Sequence, residues 1–88
     1  MDRELRLKRL RFRAWHRGTR EADLLIGGFF DACAEGWDEP ETCWFEALLE
    51  EQDVDIMAWA IGASAPPPAW EGEMMNRLRQ INYIKHAR

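Results

Sequence analysis

The sequence predicts an all-α protein, a compact bundle of about five short helices in a single domain over residues 1–88. Apolar residues recur at helical spacing along most of the chain. No segment alternates between apolar and polar residues with the period of two that is typical of strands. A length of 88 residues is near the lower limit for a self-sufficient core. It therefore excludes multidomain enzymes and folds that enclose a large cofactor.

The first two helices are predicted from apolar stripes on either side of a basic segment. Helix one is expected over about residues 3–16, with Leu7, Leu10 and Ala14 on one face and Leu5 and Phe12 on another. Helix two has the clearest buried stripe in the chain, and a glycine three residues beyond it is a typical C-terminal stop. The residues of this stripe are Ala22, Leu25, Ile26, Phe29, Phe30 and Cys33.

Helix-start signals and apolar spacing predict the other three helices. Asp38 is expected to cap the third, with Glu41 returning the hydrogen bond and a proline in the first turn. Asp53 is expected to cap the fourth, which Gly62 ends. The fifth follows the prolines at 66–68 and runs close to the C-terminus. The apolar residues expected to pack inward are Phe45, Leu48 and Leu49, then Val54, Met57, Ala58 and Ile61, and finally Trp70, Met74, Leu78 and Ile81.

Charge is distributed unevenly along the chain. Residues 1–20 contain eight basic and two acidic side chains, whereas residues 21–76 contain fourteen acidic side chains and no lysine or arginine. Residues 77–88 add four basic side chains, and the formal net charge of the whole chain is −4. This pattern predicts a molecule with one strongly positive end.

The hydropathy of the chain and its first residues predict the cellular localisation of the protein. The longest apolar runs, around residues 24–30 and 56–63, are far shorter than the ~20 residues that span a membrane. The chain opens on charged residues rather than on the apolar segment of a secretory signal. We therefore expect a monomeric cytoplasmic protein without membrane insertion, in which Cys33 and Cys43 are free thiols.

The sequence contains no arrangement typical of catalysis or of cofactor binding. His16 and His86 lie at opposite ends of the chain, and neither has a nucleophile at a recognisable spacing. The pair Gly27-Gly28 lies inside a helical stripe, outside the strand–turn–helix context of a phosphate loop. Adjacent helical glycines are more typical of close helix packing. The chain is therefore predicted not to be an enzyme and to hold neither a metal nor a stably bound cofactor.

Residues 16–21, which we call the corner, connect the Arg-rich first helix to the apolar second helix. Gly18 tolerates the backbone angles of a tight turn, and as N-cap it would put Glu21 at the third helical position. A turn does not require the guanidinium of Arg17, whose planar fork suits a carboxylate or a phosphate. From the residues alone, a purely structural corner and a corner that is also a binding site are equally compatible.

The sequence of the corner resembles a known signature. RGxxE at residues 17–21, followed by DLL at 23–25 and FF at 29–30, resembles the motif of the SdhE (YgfY) family. These proteins are small bacterial relatives of mitochondrial succinate dehydrogenase assembly factor two. The family pattern F-x-x-LL, D-x-D-L and W also occurs downstream, with Ile56 in place of the usual leucine of D-x-D-L. The residues that match it are Phe45, Leu48, Leu49, Asp53, Asp55, Ile56 and Trp59. The resemblance covers about residues 9–60.

This resemblance implies an assembly chaperone that promotes covalent attachment of FAD to the flavoprotein subunit of succinate dehydrogenase, and of fumarate reductase where present. In that family the flavin becomes bonded to a histidine of the client. The implied contact has Arg17 pairing with a client acceptor, Gly18 allowing close backbone approach, and Glu21 holding the corner or engaging a client base. The further partner-binding residues expected around them are Arg13, His16, Thr19 and Arg20. The basic segment would then steer an acidic client surface toward the corner.

Two alternative functions belong to other classes. The Arg-rich first helix could bind nucleic acid, with Phe12 and Trp15, the tryptophan expected at the surface, stacking on bases. The acidic middle of the chain and the pI of about 5.1 oppose that reading. An antitoxin-like binding role is attributed to some members of the family, and the residues do not separate it from flavinylation.

Overall fold

Within residues 2–81, the fold consists of five α-helices and contains no strand, as the sequence predicts. The structure is a computed structural model, and it describes residues 2–81. The helices are α1 (Arg3–Trp15), α2 (Arg20–Cys33), α3 (Glu39–Leu48), α4 (Asp53–Ile61) and α5 (Glu73–Arg79). Two short 3₁₀ turns, Ala34–Gly36 and Pro68–Trp70, lie between them. Within residues 2–81, no helix is long and apolar enough to cross a membrane.

The centre of the core is a cluster of four aromatic rings where α2 meets α3. Phe29, Phe30, Trp37 and Phe45 are each at most 6% exposed, and their ring centroids lie 4.9 to 6.0 Å apart. Each such ring can remove roughly 150–250 Å² from water, which matters in a chain this short. α1 packs mainly on α2, and α4 packs mainly on α5.

Several local predictions are confirmed. Asp38 and Glu41 form a capping box, in which each carboxylate accepts the backbone N–H of the other residue at 2.9 Å. Gly62 ends α4 in the left-handed conformation, with φ of +81°. On α1, Leu10 and Ala14 are buried while the opposite face stays exposed. The stripe of α2 and the three apolar residues predicted on α3 pack in the core.

The predicted helix starts are wrong at two positions. Thr19, not Gly18, is the N-cap of α2, because its Oγ1 accepts from the backbone N–H of Ala22 at 3.2 Å. Glu21 is consequently the second helical residue rather than the third. Asp53 does not cap α4 either, since Gln52 occupies that position without a side-chain bond. The carboxylate of Asp53 is instead committed to a residue of the corner.

The predicted inner faces of α4 and α5 also need correction. Ile56 and Trp59 are the buried residues of α4, whereas Val54 and Ile61 are 73% and 56% exposed. Apolar residues occur around most of this short helix, so spacing alone does not select one face. In the fifth segment, Met74, Met75 and Leu78 are buried. Trp70 and Ile81 flank α5 rather than belonging to it, although both pack against the core. The predicted extension of this helix toward the C-terminus reaches residues 82–88, outside the described part.

Candidate functional site

The corner reverses the chain between α1 and α2 in very few residues. His16 is the C-cap of α1 and Thr19 is the N-cap of α2. Gly18 lies between them with φ of +114°, a conformation that L-residues rarely adopt. A Cβ built on Gly18 would have no atom within 4 Å, so the backbone angle, and not space, favours glycine there. The surface at Gly18 is therefore bare backbone.

Arg17 points into the molecule and holds the corner against the loop between α3 and α4. Its Nε donates to Oδ1 of Asp53 at 2.7 Å, and its Nη1 and Nη2 donate to the carbonyls of Leu49 at 3.1 Å and Glu51 at 3.3 Å. Its backbone N–H donates to Oδ1 of Asp23 at 2.6 Å. The side chain is only 12% exposed. The fork that suits a carboxylate is thus occupied within the protein itself.

Trp15 supports the corner from behind. Its ring lies directly on Gly27 of α2, so that a Cβ built on Gly27 would overlap the indole, while one built on Gly28 would meet nothing within 4 Å. This contact explains the first of the two helical glycines as close helix packing. Trp15 is half-buried rather than fully at the surface, and its Nε1 is buried without a hydrogen-bond partner among residues 2–81.

An open pocket of about 560 Å³ lies on the outer side of the corner. Trp15 and Leu24 supply apolar walls, and the other lining side chains are polar or absent. The lining residues are Trp15, His16, Gly18, Thr19, Arg20, Asp23 and Leu24. A pocket with apolar walls and a few polar groups is typical of a recognition site.

His16, which lines the pocket, forms an aromatic pair with Phe12. The rings stack with centroids 3.9 Å apart and an interplanar angle of 18°. His16 Nδ1 lies 2.6 Å from the Phe12 carbonyl oxygen, which can only accept, so Nδ1 carries the proton. Phe12 is 63% exposed, so the pair presents an aromatic surface near the C-terminal end of α1.

The uneven charge of the sequence becomes a set of internal ion pairs. Arg6 lies 2.6 Å from carboxylate oxygens of both Glu39 and Glu46, and Arg13 pairs with Glu50. Further pairs that join a basic end to the acidic middle include Arg11–Asp31, Arg17–Asp53, Arg77–Glu41, Arg77–Glu73 and Arg79–Glu71. Much of the positive charge predicted at one end is therefore neutralised by the protein itself.

Comparison with known proteins identifies the family. The family model described as "Flavinator of succinate dehydrogenase", Sdh5, matches residues 8–82. This chain belongs to the Sdh5 family. The match begins at residue 8, within α1, and includes the corner and every later helix of the described structure. It confirms the resemblance seen in the RGxxE segment.

Relatives in bacteria and in mitochondria share this region. The chain is 38% identical over 80 residues to the FAD assembly factor SdhE of Acetobacter pasteurianus, covering 91% of this chain and 73% of that protein. It is 33% identical over 72 residues to SdhE of Aliivibrio fischeri, covering 82% and 84%. The mitochondrial succinate dehydrogenase assembly factor 2 of Drosophila grimshawi is 35% identical over 78 residues, covering 86% and 53%. The chain thus spans about half the length of that mitochondrial relative. Sdh5 proteins are assembly factors and not enzymes.

The predicted site residues of this Sdh5 protein fall into two groups. His16, Gly18, Thr19 and Arg20 line the pocket together. The remaining three do not line it: Arg17 faces inward, Arg13 pairs with Glu50, and Glu21 is exposed in the first turn of α2.

Sequence reasoning did not assign Asp23 and Leu24 to the site. Asp23 receives the backbone N–H of Arg17, and both residues line the pocket. They belong to the DLL segment that follows RGxxE, and this segment is the sequence signal that could have assigned them to the site. Among residues 2–81, no group of His, Cys, Asp and Glu side chains is arranged to hold a metal ion.

Proposed function

We propose that this protein is an FAD assembly factor that promotes covalent attachment of FAD to the flavoprotein subunit of succinate dehydrogenase, and of fumarate reductase where present, by binding that client through the corner. The observation that carries the proposal is the position of the pocket. The family match spans the corner, and four residues of the corner line the pocket. Bare backbone at Gly18 and apolar walls beside it suit close contact with another protein.

The protein would act by holding its client in a reactive arrangement. FAD is the group transferred to the client, where the flavin bond forms on a client histidine. A binding protein can accelerate such a step when it favours the client conformation in which the two reacting groups meet. Neither a nucleophile–base pair nor a nucleotide-binding pattern is recognisable in the sequence. The effect on flavinylation would therefore pass through the client rather than through direct contact with FAD.

Binding of nucleic acid has less support than binding of the client. Arg6, Arg11 and Arg13 are engaged by carboxylates of α2, α3 and the α3–α4 loop, so they would have to exchange these partners for phosphates. The same acidic segments lie against α1 and would repel a polyanion. A gel-shift titration at low salt is expected to show no shift at micromolar protein.

The proposal is tested by co-expressing the client flavoprotein with the wild-type protein or with Gly18→Arg. Covalent flavin is scored by its fluorescence in a denaturing gel. Gly18→Arg is expected to lose most flavinylation because it places a long charged side chain on the contact surface. Equal flavinylation by a folded Gly18→Arg protein would refute the site.

Two further variants separate the contact from folding. Gly36→Arg adds the same bulk and charge in a 3₁₀ turn outside the corner, where a Cβ meets nothing within 4 Å, and should keep wild-type flavinylation. Gly18→Ala carries the backbone strain at φ of +114° without the bulk, and should keep more flavinylation than Gly18→Arg. Circular dichroism of all three variants reports whether helical content is retained.

A further inference from the structure

The two arginines of the corner have opposite environments. Each of the three nitrogens of the Arg17 guanidinium has an acceptor, namely the carboxylate of Asp53 and two backbone carbonyls of the α3–α4 loop. Reaching a client would break these bonds and leave Asp53, whose side chain is 26% exposed, without its partner. Unpaired charges in partly buried positions are costly. Arg17 is therefore poorly placed to bind anything outside the protein.

Arg20 is the first residue of α2, and it is exposed and lines the pocket. No residue in the range 2–81 provides its side chain with an ion-pair or hydrogen-bond partner. Two acidic side chains lie close by in sequence: Asp23, which lines the same pocket and accepts the Arg17 backbone N–H, and Glu21, which is exposed. Arg20 thus presents its full set of donors at the pocket, next to apolar walls.

We infer that Arg20, and not the Arg17 of the RGxxE signature, is the arginine that binds the client, and that the pocket takes a client segment bearing a carboxylate beside an apolar side chain. Arg17 is a positioning residue. This inference rests on the proposed function, because the client is the partner whose carboxylate is bound. The planar guanidinium of Arg20 matches a carboxylate through two parallel hydrogen bonds.

The charges of the pocket favour a carboxylate over a phosphate group of FAD. Asp23 and Glu21 bring two negative charges against the single positive charge of Arg20, so the net local field opposes an anion, and this opposition grows in proportion to the charge of the ligand. A pyrophosphate carries two negative charges where a carboxylate carries one. The apolar walls formed by Trp15 and Leu24 are also suited to the side chain of a peptide segment.

The first experiment measures the affinity of the purified full-length chain for the FAD-free client flavoprotein by isothermal titration at several salt concentrations. Arg20→Gln is expected to weaken binding roughly tenfold, the loss of one charge-assisted contact, and to flatten the salt dependence. Its melting temperature should match the wild type. Lys8→Gln is the matched control, because it removes the same charge from an exposed position of α1 that does not line the pocket. It should weaken binding far less than Arg20→Gln, because a steering charge outside the pocket acts mainly on the association rate.

The second experiment separates positioning from contact. Arg17→Gln and Asp53→Asn should each lower the melting temperature and weaken binding, and the double variant should be little worse than either single one, because both remove the same ion pair. Both should keep the steep salt dependence of wild-type binding, since Arg20 is still present. If Arg17 only contacted the client, Arg17→Gln would instead lower the salt dependence of binding and leave the melting temperature unchanged.

Each outcome decides between these assignments. Wild-type affinity and salt dependence in Arg20→Gln would overturn the inference while leaving the proposed function intact. An unchanged melting temperature with a flattened salt dependence in Arg17→Gln would return the contact to Arg17. Titration with FAD alone tests whether Arg20 binds a phosphate group instead. If the wild-type chain binds FAD and Arg20→Gln abolishes that binding, the assignment of a client carboxylate as the ligand of Arg20 is overturned. If the wild-type chain does not bind the client at all, the proposed function itself is refuted.

Discussion

The inner and outer sides of the corner differ in how far their groups are already committed. On the inner side, Arg17 has an acceptor for every guanidinium nitrogen, and the ring of Trp15 fills the space over Gly27. On the outer side, Gly18 and Arg20 face an open pocket. Neighbouring residues of one short segment thus serve different purposes, one set to hold the turn and the other to contact a partner. Membership of the RGxxE motif alone does not show whether a residue holds the turn or contacts a partner.

On the inner side of the corner, substitution of Gly27 is expected to have the largest effect on stability. Gly27→Ala would push its Cβ into the indole of Trp15, and overpacking of this kind costs about 2–3 kcal/mol. The free energy of unfolding, measured by urea denaturation, is expected to fall by that amount. Gly28→Ala is the matched control on the same helix, with nothing within 4 Å of the new Cβ. It should stabilise the protein by up to about 1 kcal/mol through helix propensity. Equal effects of the two substitutions would show that Trp15 does not rest on Gly27.

Substitution of Asp23 is expected to have an intermediate effect on stability. Asp23→Asn keeps an oxygen for the backbone N–H of Arg17 but removes the charge, which should cost about 1 kcal/mol of unfolding free energy. Asp31→Asn is the control, because Asp31 pairs with Arg11 in an exposed ion pair and should matter by less than about 0.5 kcal/mol. Thermal denaturation of the two variants side by side makes the comparison. A larger loss in Asp31→Asn would contradict the distinction between a carboxylate that binds the corner backbone and one in an exposed ion pair.

Substitution of Glu41, which lies outside the corner, is expected to have the smallest effect on stability. The backbone N–H of Asp38 and, to a lesser extent, the guanidinium of Arg77 hold the pKa of Glu41 below its ordinary value of 4.5. Because the folded state binds the proton less readily, Glu41 stabilises the fold above that value, and the contribution is lost as the pH falls through the lowered pKa. Glu41→Gln should therefore lower the melting temperature slightly at pH 7.

The difference between Glu41→Gln and the wild type should shrink as the solution is acidified below the ordinary pKa, and melting curves from pH 7 to pH 3 would follow it. A difference that grows on acidification would contradict the assignment. Glu41 is in the first turn of α3, on the order of 12 Å along the helix axis from the end that contacts Arg17. Client affinity at pH 7 should accordingly stay at the wild-type level. A loss of affinity would mean that small changes of stability alone disturb the corner.

Local signals in the sequence were sufficient for most of the fold. The stripe of α2 and the capping box of α3 involve residues within one or two turns of each other, and their hydrogen bonds and spacing are settled along the chain itself. The RGxxE segment likewise marked the corner as the candidate site. Where the local signal was ambiguous, the prediction was wrong: both Gly18 and Thr19 can cap α2, and apolar residues surround α4.

The amino-acid sequence by itself thus determined the helical class, the place of the corner and the family. Only the tertiary structure decided which side of the corner each residue occupies. The acceptors of the Arg17 guanidinium lie 32 to 36 residues away, and Trp15 meets Gly27 only because α1 folds back on α2. Contacts between residues so distant along the chain leave no periodic trace in the sequence, because they depend on how whole helices pack. That packing turns Arg17 inward and leaves Arg20 at the pocket.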